Sequence, residues 1–148
     1  MFTKLDHPGI IVKDINAAAE KYCDIFHVDP SDIIKVDVDN MFSYLIPIGK
    51  QCIELMQMKG SAPRQRRYLE ALRNQPDGLF HINVFTDDYD NEVRMLKEKG
   101  CQVEEDVVTE FFPGYLLRMA WIPPEFTGGV WIELVDQTAL PPSIRDNN

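Results

Sequence analysis

The sequence contains the stretches LDHPGIIVKDINAAAEKYCDIFH at residues 5–27 and LFHINVFTDDYDNEVRMLKEKG at residues 79–100, which follow one pattern. Each begins with a short apolar run that carries a histidine at its third position, His7 in the first and His81 in the second. An aspartate follows in each, and then an amphipathic segment. This recurrence indicates two copies of one supersecondary unit that begins with a strand and continues into a helix.

Both amphipathic segments carry the signals of helix ends. Asp14 is an N-cap candidate for the first helix, and Asp87 or Asp88 for the second. Gly100 is typical of the residue that follows a helix. We therefore expect one helix in each copy. The apolar residues at helical spacing are Ile15, Ala18, Ala19, Tyr22 and Phe26 in the first segment, and Tyr89, Val93 and Leu96 in the second.

A second motif closes each copy. The sequence reads GKQCIELMQ at residues 49–57 and GGVWIELVDQ at residues 128–137, so that Ile-Glu-Leu lies in an apolar strand after a glycine turn both times. The segments between are rich in strand-forming residues. The pattern predicts an α+β protein of two βαβββ modules that form a curled mixed sheet. The predicted intervening strands cover residues 33–38, 41–48, 102–108 and 115–122.

The same pattern divides the chain. We expect the first module over residues 1–58 and the second over residues 79–137. Residues 59–78 form a linker with a short helix of its own, because Pro63 suits a first helical turn. Residues 138–148 form a polar, proline-containing tail that we expect to lie loosely on the surface.

Composition limits the classes of function. The chain has 15 Lys and Arg against 24 Asp and Glu, a formal charge of −9, which disfavours nucleic acids and anionic membranes as partners. No apolar run approaches the ~20 residues of a membrane span. The cysteines, Cys23, Cys52 and Cys101, are far apart in the sequence, which argues against a disulfide framework or a thiolate zinc site. These features favour a cytoplasmic protein that acts on a small molecule.

Two histidines and two glutamates recur at equivalent places of the modules: His7, Glu54, His81 and Glu133. A glutamate in the middle of an apolar strand is costly to bury unless it is paired or bound to a cation. Singly, a strand histidine is more often structural and a strand glutamate more often solvated. Their repetition favours one metal site, and the nitrogen and oxygen donors suit Zn, Co, Ni, Mn or Fe with positions left open for substrate.

These residues carry a family resemblance. The segments at residues 5–26, 78–88 and 127–137 resemble the vicinal oxygen chelate superfamily, and the likeness is closest to methylmalonyl-CoA epimerases. The superfamily also includes glyoxalase I, extradiol dioxygenases and bleomycin-binding proteins. The resemblance implies two βαβββ modules around one divalent metal, Co, Zn, Ni or Mn. The ligand positions of the family fall on His7, Glu54, His81 and Glu133.

The resemblance also implies a reaction. The expected enzyme is an epimerase or isomerase that removes a proton next to a carbonyl of a chelating substrate, such as an acyl-CoA. Glu133 is the expected base, with Glu54 as its counterpart, and we expect a homodimer. The residues expected to contact the substrate are Tyr44, Asn83, Tyr115 and Trp121.

The sequence differs at three places from the glyoxalases and epimerases of this superfamily. Ile11 stands where glutathione-using glyoxalases carry an arginine. Residues 42–44 lack the third-strand carboxylate of some epimerases, and residues 111–115 lack their His-Gly-Lys loop. The alternatives are therefore a glyoxalase I-like lyase (lactoylglutathione lyase), a drug-binding resistance protein without catalysis, and, ranked lower, an iron-dependent oxygenase.

Overall fold

The structure is a computed structural model that describes residues 1–38, 41–59, 77–108 and 112–145. The chain forms two compact units, residues 7–80 and residues 81–148 together with residues 1–6. We call them the first and second unit. The strands are β1 (Phe2–Ile11), β2 (Ile34–Val38), β3 (Met41–Ile48), β4 (Gln51–Met58), β5 (Gly78–Thr86), β6 (Glu104–Val108), β7 (Leu117–Ile122) and β8 (Trp131–Asp136). The helices are α1 (Ile15–Phe26), α2 (Tyr89–Glu98), α3 (Pro124–Thr127) and α4 (Pro142–Arg145), with 3-10 turns at Pro30–Asp32 and Gln137–Ala139.

The first unit has the strand order β2-β3-β4-β1. Strands β2, β3 and β4 pair antiparallel, whereas β4 runs parallel to β1 and brings Glu54 into register with Gly9. A parallel pair needs a long crossover, and α1 with the β2–β3 hairpin supplies it. The predicted βαβββ order of the first module is therefore confirmed.

Helix α1 begins at its predicted cap. The Asp14 side chain accepts hydrogen bonds from the backbone N–H groups of Asn16 and Ala17, which the helix itself leaves unpaired. The helix buries Ile15 and Ala19 against strand residues of the same unit. Phe26 departs from the predicted apolar face and is 43% exposed, because the helix ends there.

The second unit repeats the plan. Its strand order is β1-β5-β8-β7-β6, with the first residues of β1 beside β5. Strand β8 runs parallel to β5 and antiparallel to β7. Helix α2 packs Tyr89 and Val93 against Ala120 and Leu134. Each unit thus combines one long helix with a mixed set of strands, and the predicted α+β class is confirmed.

Some element boundaries differ from the prediction. Strand β6 begins two residues later than expected, at Glu104, and β7 begins at Leu117, so Tyr115 precedes the strand. Asp88 flanks α2 but makes no capping hydrogen bond through its side chain. In the tail, the expectation of loose packing is wrong for Leu140, which is buried because it is apolar and follows an ordered 3-10 turn.

Most of the predicted linker, including its helix, and the turn at residues 39–40 lie outside the described residues. None of the helices in the described ranges is long and apolar enough to cross a membrane.

Candidate functional site

In the first unit, a histidine and a glutamate meet on adjacent strands. His7 lies on β1 and Glu54 on β4, with 3.4 Å between Nε2 and Oε2. Both side chains are buried, and Glu54 is only 5% exposed. The Ser43 hydroxyl on β3 donates a hydrogen bond to Oε1 of Glu54. The two oxygens of Glu54 therefore have different neighbours.

The second unit contains an equivalent pair. His81 lies on β5 and Glu133 on β8, with 3.3 Å between Nε2 and Oε2. His81 is fully buried and Glu133 is 8% exposed. Asn83 lies in register with Glu133, and its Nδ2 donates to Oε2 of Glu133 at 2.6 Å. The Trp121 ring meets the His81 ring edge-on at 5.3 Å between centroids.

The two pairs have the same origin in the chain. In each unit the histidine lies on the first strand, the glutamate lies on the last, and these strands are parallel neighbours. Period-two alternation explains the arrangement, because residues two apart share a strand face. The contact of His7 with Glu54 and of His81 with Glu133 follows directly from it.

The donor chemistry of both pairs suits a metal ion. His7 and Glu54 offer an imidazole nitrogen and a carboxylate oxygen, which are ordinary metal ligands. Metal–ligand bonds of about 2.0–2.2 Å place neighbouring donor atoms roughly 3–3.5 Å apart, and both observed separations lie in that range. Within the described residues, the ion-pair partner of Glu133 is His81. A cation would therefore compensate a carboxylate that is expensive to bury.

The residues expected to contact substrate have different surroundings. Asn83 and Trp121 are buried on the strand face that carries Glu133, because both lie in register with it. Tyr115 is exposed in the segment before β7. Tyr44 lies on the opposite strand face from Glu54, is half-buried against the core cluster beneath α1, and donates its hydroxyl hydrogen to Asn16 Oδ1 at 3.0 Å.

Ser43 is a site residue that sequence reasoning missed. The sequence drew attention to residues 42–44 only because they lack a carboxylate. The available signal was a small polar residue on an otherwise apolar strand, two positions from Leu45, which lies in register with Glu54. Its contact with Glu54 depends on the β3–β4 register, which the sequence does not state.

The comparisons with known proteins agree with this architecture. The family model described as the Glyoxalase/Bleomycin resistance protein/Dioxygenase superfamily matches residues 6–114. Among curated proteins, no match was found.

Solved structures resemble the fold. A hypothetical protein from Bacillus halodurans C-125 is 21% identical, with a TM-score of 0.71 over 90% of this chain and 93% of its own. Methylmalonyl-CoA epimerase from Mycobacterium tuberculosis is 24% identical, with a TM-score of 0.68 over 95% and 90%. A variant of the Streptomyces coelicolor methylmalonyl-CoA epimerase, in complex with 2-nitronate-propionyl-CoA, is 20% identical, with a TM-score of 0.67 over 92% and 95%.

Proposed function

We infer the function of this chain from its family, since it belongs to the glyoxalase/bleomycin resistance protein/dioxygenase superfamily. Many members of this superfamily are enzymes. We propose that this chain is a metal-dependent enzyme that moves a proton at a carbon next to a carbonyl. The observation that carries the proposal is the pair of buried His–Glu contacts, one in each unit.

The proposed ligands of one divalent ion are His7, Glu54, His81 and Glu133. The ion, Co, Zn, Ni or Mn, would act as a Lewis acid toward two adjacent substrate oxygens and make the neighbouring carbon more acidic. The two imidazoles are neutral donors, whereas the two carboxylates balance the charge of the ion. Burial of all four side chains supports this proposal, because it limits the water that competes for the ion.

Glu133 is the proposed base. A carboxylate beside the reacting carbon can accept the proton and return it, and such general-base help is typically worth ~10²–10⁴-fold. Its Oε2 accepts a hydrogen bond from Asn83, whereas its Oε1 makes no hydrogen bond within the described part of the chain. Glu54 is its proposed counterpart, and its Oε1 is occupied by Ser43. The proton transfer is therefore assigned to Oε1 of Glu133.

An acyl-CoA of the methylmalonyl-CoA type is the proposed substrate. The likeness to epimerase structures supports this choice, including one in complex with 2-nitronate-propionyl-CoA. A glyoxalase I-like lyase would use the same four ligands, but Ile11 stands where glutathione-using members carry an arginine. A drug-binding protein without catalysis would not need two buried His–Glu pairs.

The proposal extends to assembly and location. We propose a homodimer, following the resemblance to the family. We also propose a cytoplasmic location, which Cys23, Cys52 and Cys101 support, since none of them forms a disulfide within the described residues.

Deuterium exchange tests the proposed reaction. Purified protein loaded with Co is incubated in D₂O with methylmalonyl-CoA, and label at the α-carbon is followed by mass spectrometry. We expect exchange in the wild type, a loss of at least ~10²-fold in Glu133→Gln, and no change in the control Glu98→Gln, which alters an exposed residue of α2. Metal-loaded wild type without exchange would reject methylmalonyl-CoA as substrate.

A further inference from the structure

The two glutamates differ in how their oxygens are occupied. In Glu54, Ser43 donates to Oε1 while His7 faces Oε2, so both oxygens are contacted. In Glu133, Asn83 donates to Oε2, and His81 faces the same atom. The first glutamate is thus fixed at both oxygens, whereas the second is held through one.

Asn83 is an unusual residue to bury. It is 3% exposed, and its Oδ1 is buried with no hydrogen-bond partner among the described residues. Only the NH₂ group can donate to a carboxylate, so the contact with Glu133 fixes the amide with Nδ2 toward that carboxylate. An unpaired buried acceptor costs free energy. The hydrogen bond to Glu133 therefore explains why an asparagine is buried at this position, which packing alone does not explain.

We propose that Ser43 and Asn83 are positioning residues that give the two glutamates different tasks. Ser43 holds Glu54 in the orientation that places Oε2 beside His7. Glu54 would therefore stay bound to the metal ion throughout the reaction. Asn83 holds Glu133 by Oε2, and so keeps Oε1 directed to the proton that moves. This inference rests on the proposed proton-transfer function. It adds the two residues that assign metal binding to Glu54 and proton transfer to Glu133.

The different roles of Ser43 and Asn83 predict different effects of substituting each residue. Loss of a hydrogen bond that orients a metal ligand typically lowers metal affinity ~10–100-fold, so we expect this range for Ser43→Ala. Asn83→Leu keeps the side-chain shape but removes the donor. We expect it to lower kcat at least about tenfold, to leave KM within about threefold, and to lower metal affinity less than Ser43→Ala does.

The experiment compares Ser43→Ala and Asn83→Leu with wild type and with the control Asn91→Leu, whose described hydrogen bonds stay within α2. Co²⁺ affinity is measured by chelator competition, the visible spectrum of Co²⁺ reports ligand geometry, and kcat and KM come from deuterium exchange. The inference is overturned if Asn83→Leu weakens Co²⁺ binding as much as Ser43→Ala does. It is also overturned if the kcat of Asn83→Leu equals that of wild type.

An NMR measurement on the metal-free protein tests this inference independently of the proposed reaction. The Asn83 side-chain amide proton should resonate downfield in the NMR spectrum of the wild type and move upfield in Glu133→Gln. An ordinary chemical shift in the wild type would overturn the inference, whatever the reaction. If this signal and the two metal affinities follow the prediction but no exchange occurs, the positioning roles stand and the proposed substrate is rejected.

Discussion

Glu54 and Glu133 are carboxylates that the strands remove almost completely from water. Without a cation, the burial of Glu133 is costly, because Asn83, which donates a hydrogen bond to it, carries no positive charge. In the metal-free protein we therefore expect Glu133→Gln to raise the free energy of unfolding by about 1 kcal/mol. Urea denaturation in the presence of a chelator measures the change.

The control for this effect is Glu98→Gln on the exposed surface of α2, where the change should stay within about 0.5 kcal/mol. If, in the absence of metal, Glu133→Gln is less stable than wild type, the protein itself already compensates the buried charge of the carboxylate, and the prediction is wrong.

At the scale of elements, Arg118 on β7 joins α2 to β8. Its guanidinium lies 2.5 Å from an oxygen of Asp90, 3.3 Å from one of the buried Asp136, and 4.4 Å from the centroid of the Tyr89 ring. The hydrogen bond from Arg118 lowers the pKa of Asp90. We expect Arg118→Met to lower the free energy of unfolding at pH 7, and only modestly because Arg118 is partly exposed.

This cost should depend on pH. A carboxyl whose folded pKa is lowered contributes stability above its unfolded pKa and loses it as the pH falls through the folded value. The difference between wild type and Arg118→Met should therefore shrink below the ordinary Asp value of 3.8. Urea denaturation at pH 7 and pH 3 tests this, and an equal difference at both pH values would contradict the role given to the pair.

Tyr89 connects α2 to β7 in a second way. Its hydroxyl donates to the carbonyl of Met119 at 2.9 Å, and burial raises its pKa from 10.0 to about 12. Since the neutral phenol is the form that folding favours, its stabilising effect is complete below pH 10 and is lost as the pH rises toward 12. We expect Tyr89→Phe to lose stability less steeply than wild type above pH 10, as measured by denaturation at several alkaline pH values.

At the scale of the whole molecule, metal binding should stabilise the fold. An ion that binds only the native state at 100 times its Kd adds about 2.7 kcal/mol to the free energy of unfolding. We expect Co²⁺ to raise Tm in the wild type, and His7→Ala or His81→Ala to lose most of that rise. Differential scanning calorimetry with and without Co²⁺ measures it, and an undiminished rise in either variant would exclude that histidine from the ligand set.

The sequence predicted much of this architecture because periodicity and capping are local signals. Asp14 and the apolar positions of α1 identify a helix without reference to the rest of the chain. The recurring motif singled out His7, Glu54, His81 and Glu133 in the sequence, but not which of them lie in contact. The face of Tyr44 and the contact of Ser43 with Glu54 depend on strand register, and the missing cap at Asp88 depends on local geometry. None of these features is readable from residue spacing alone.

The most direct test of the central proposal is the number of metal ions bound per chain. Wild type, His7→Ala and His81→Ala are loaded with Co²⁺, desalted, and analysed by inductively coupled plasma mass spectrometry. One shared site predicts about one ion per chain in the wild type and almost none in either variant, although the two histidines belong to different units. Two ions in the wild type with one left in each variant, or no ion in the wild type, would contradict the proposal.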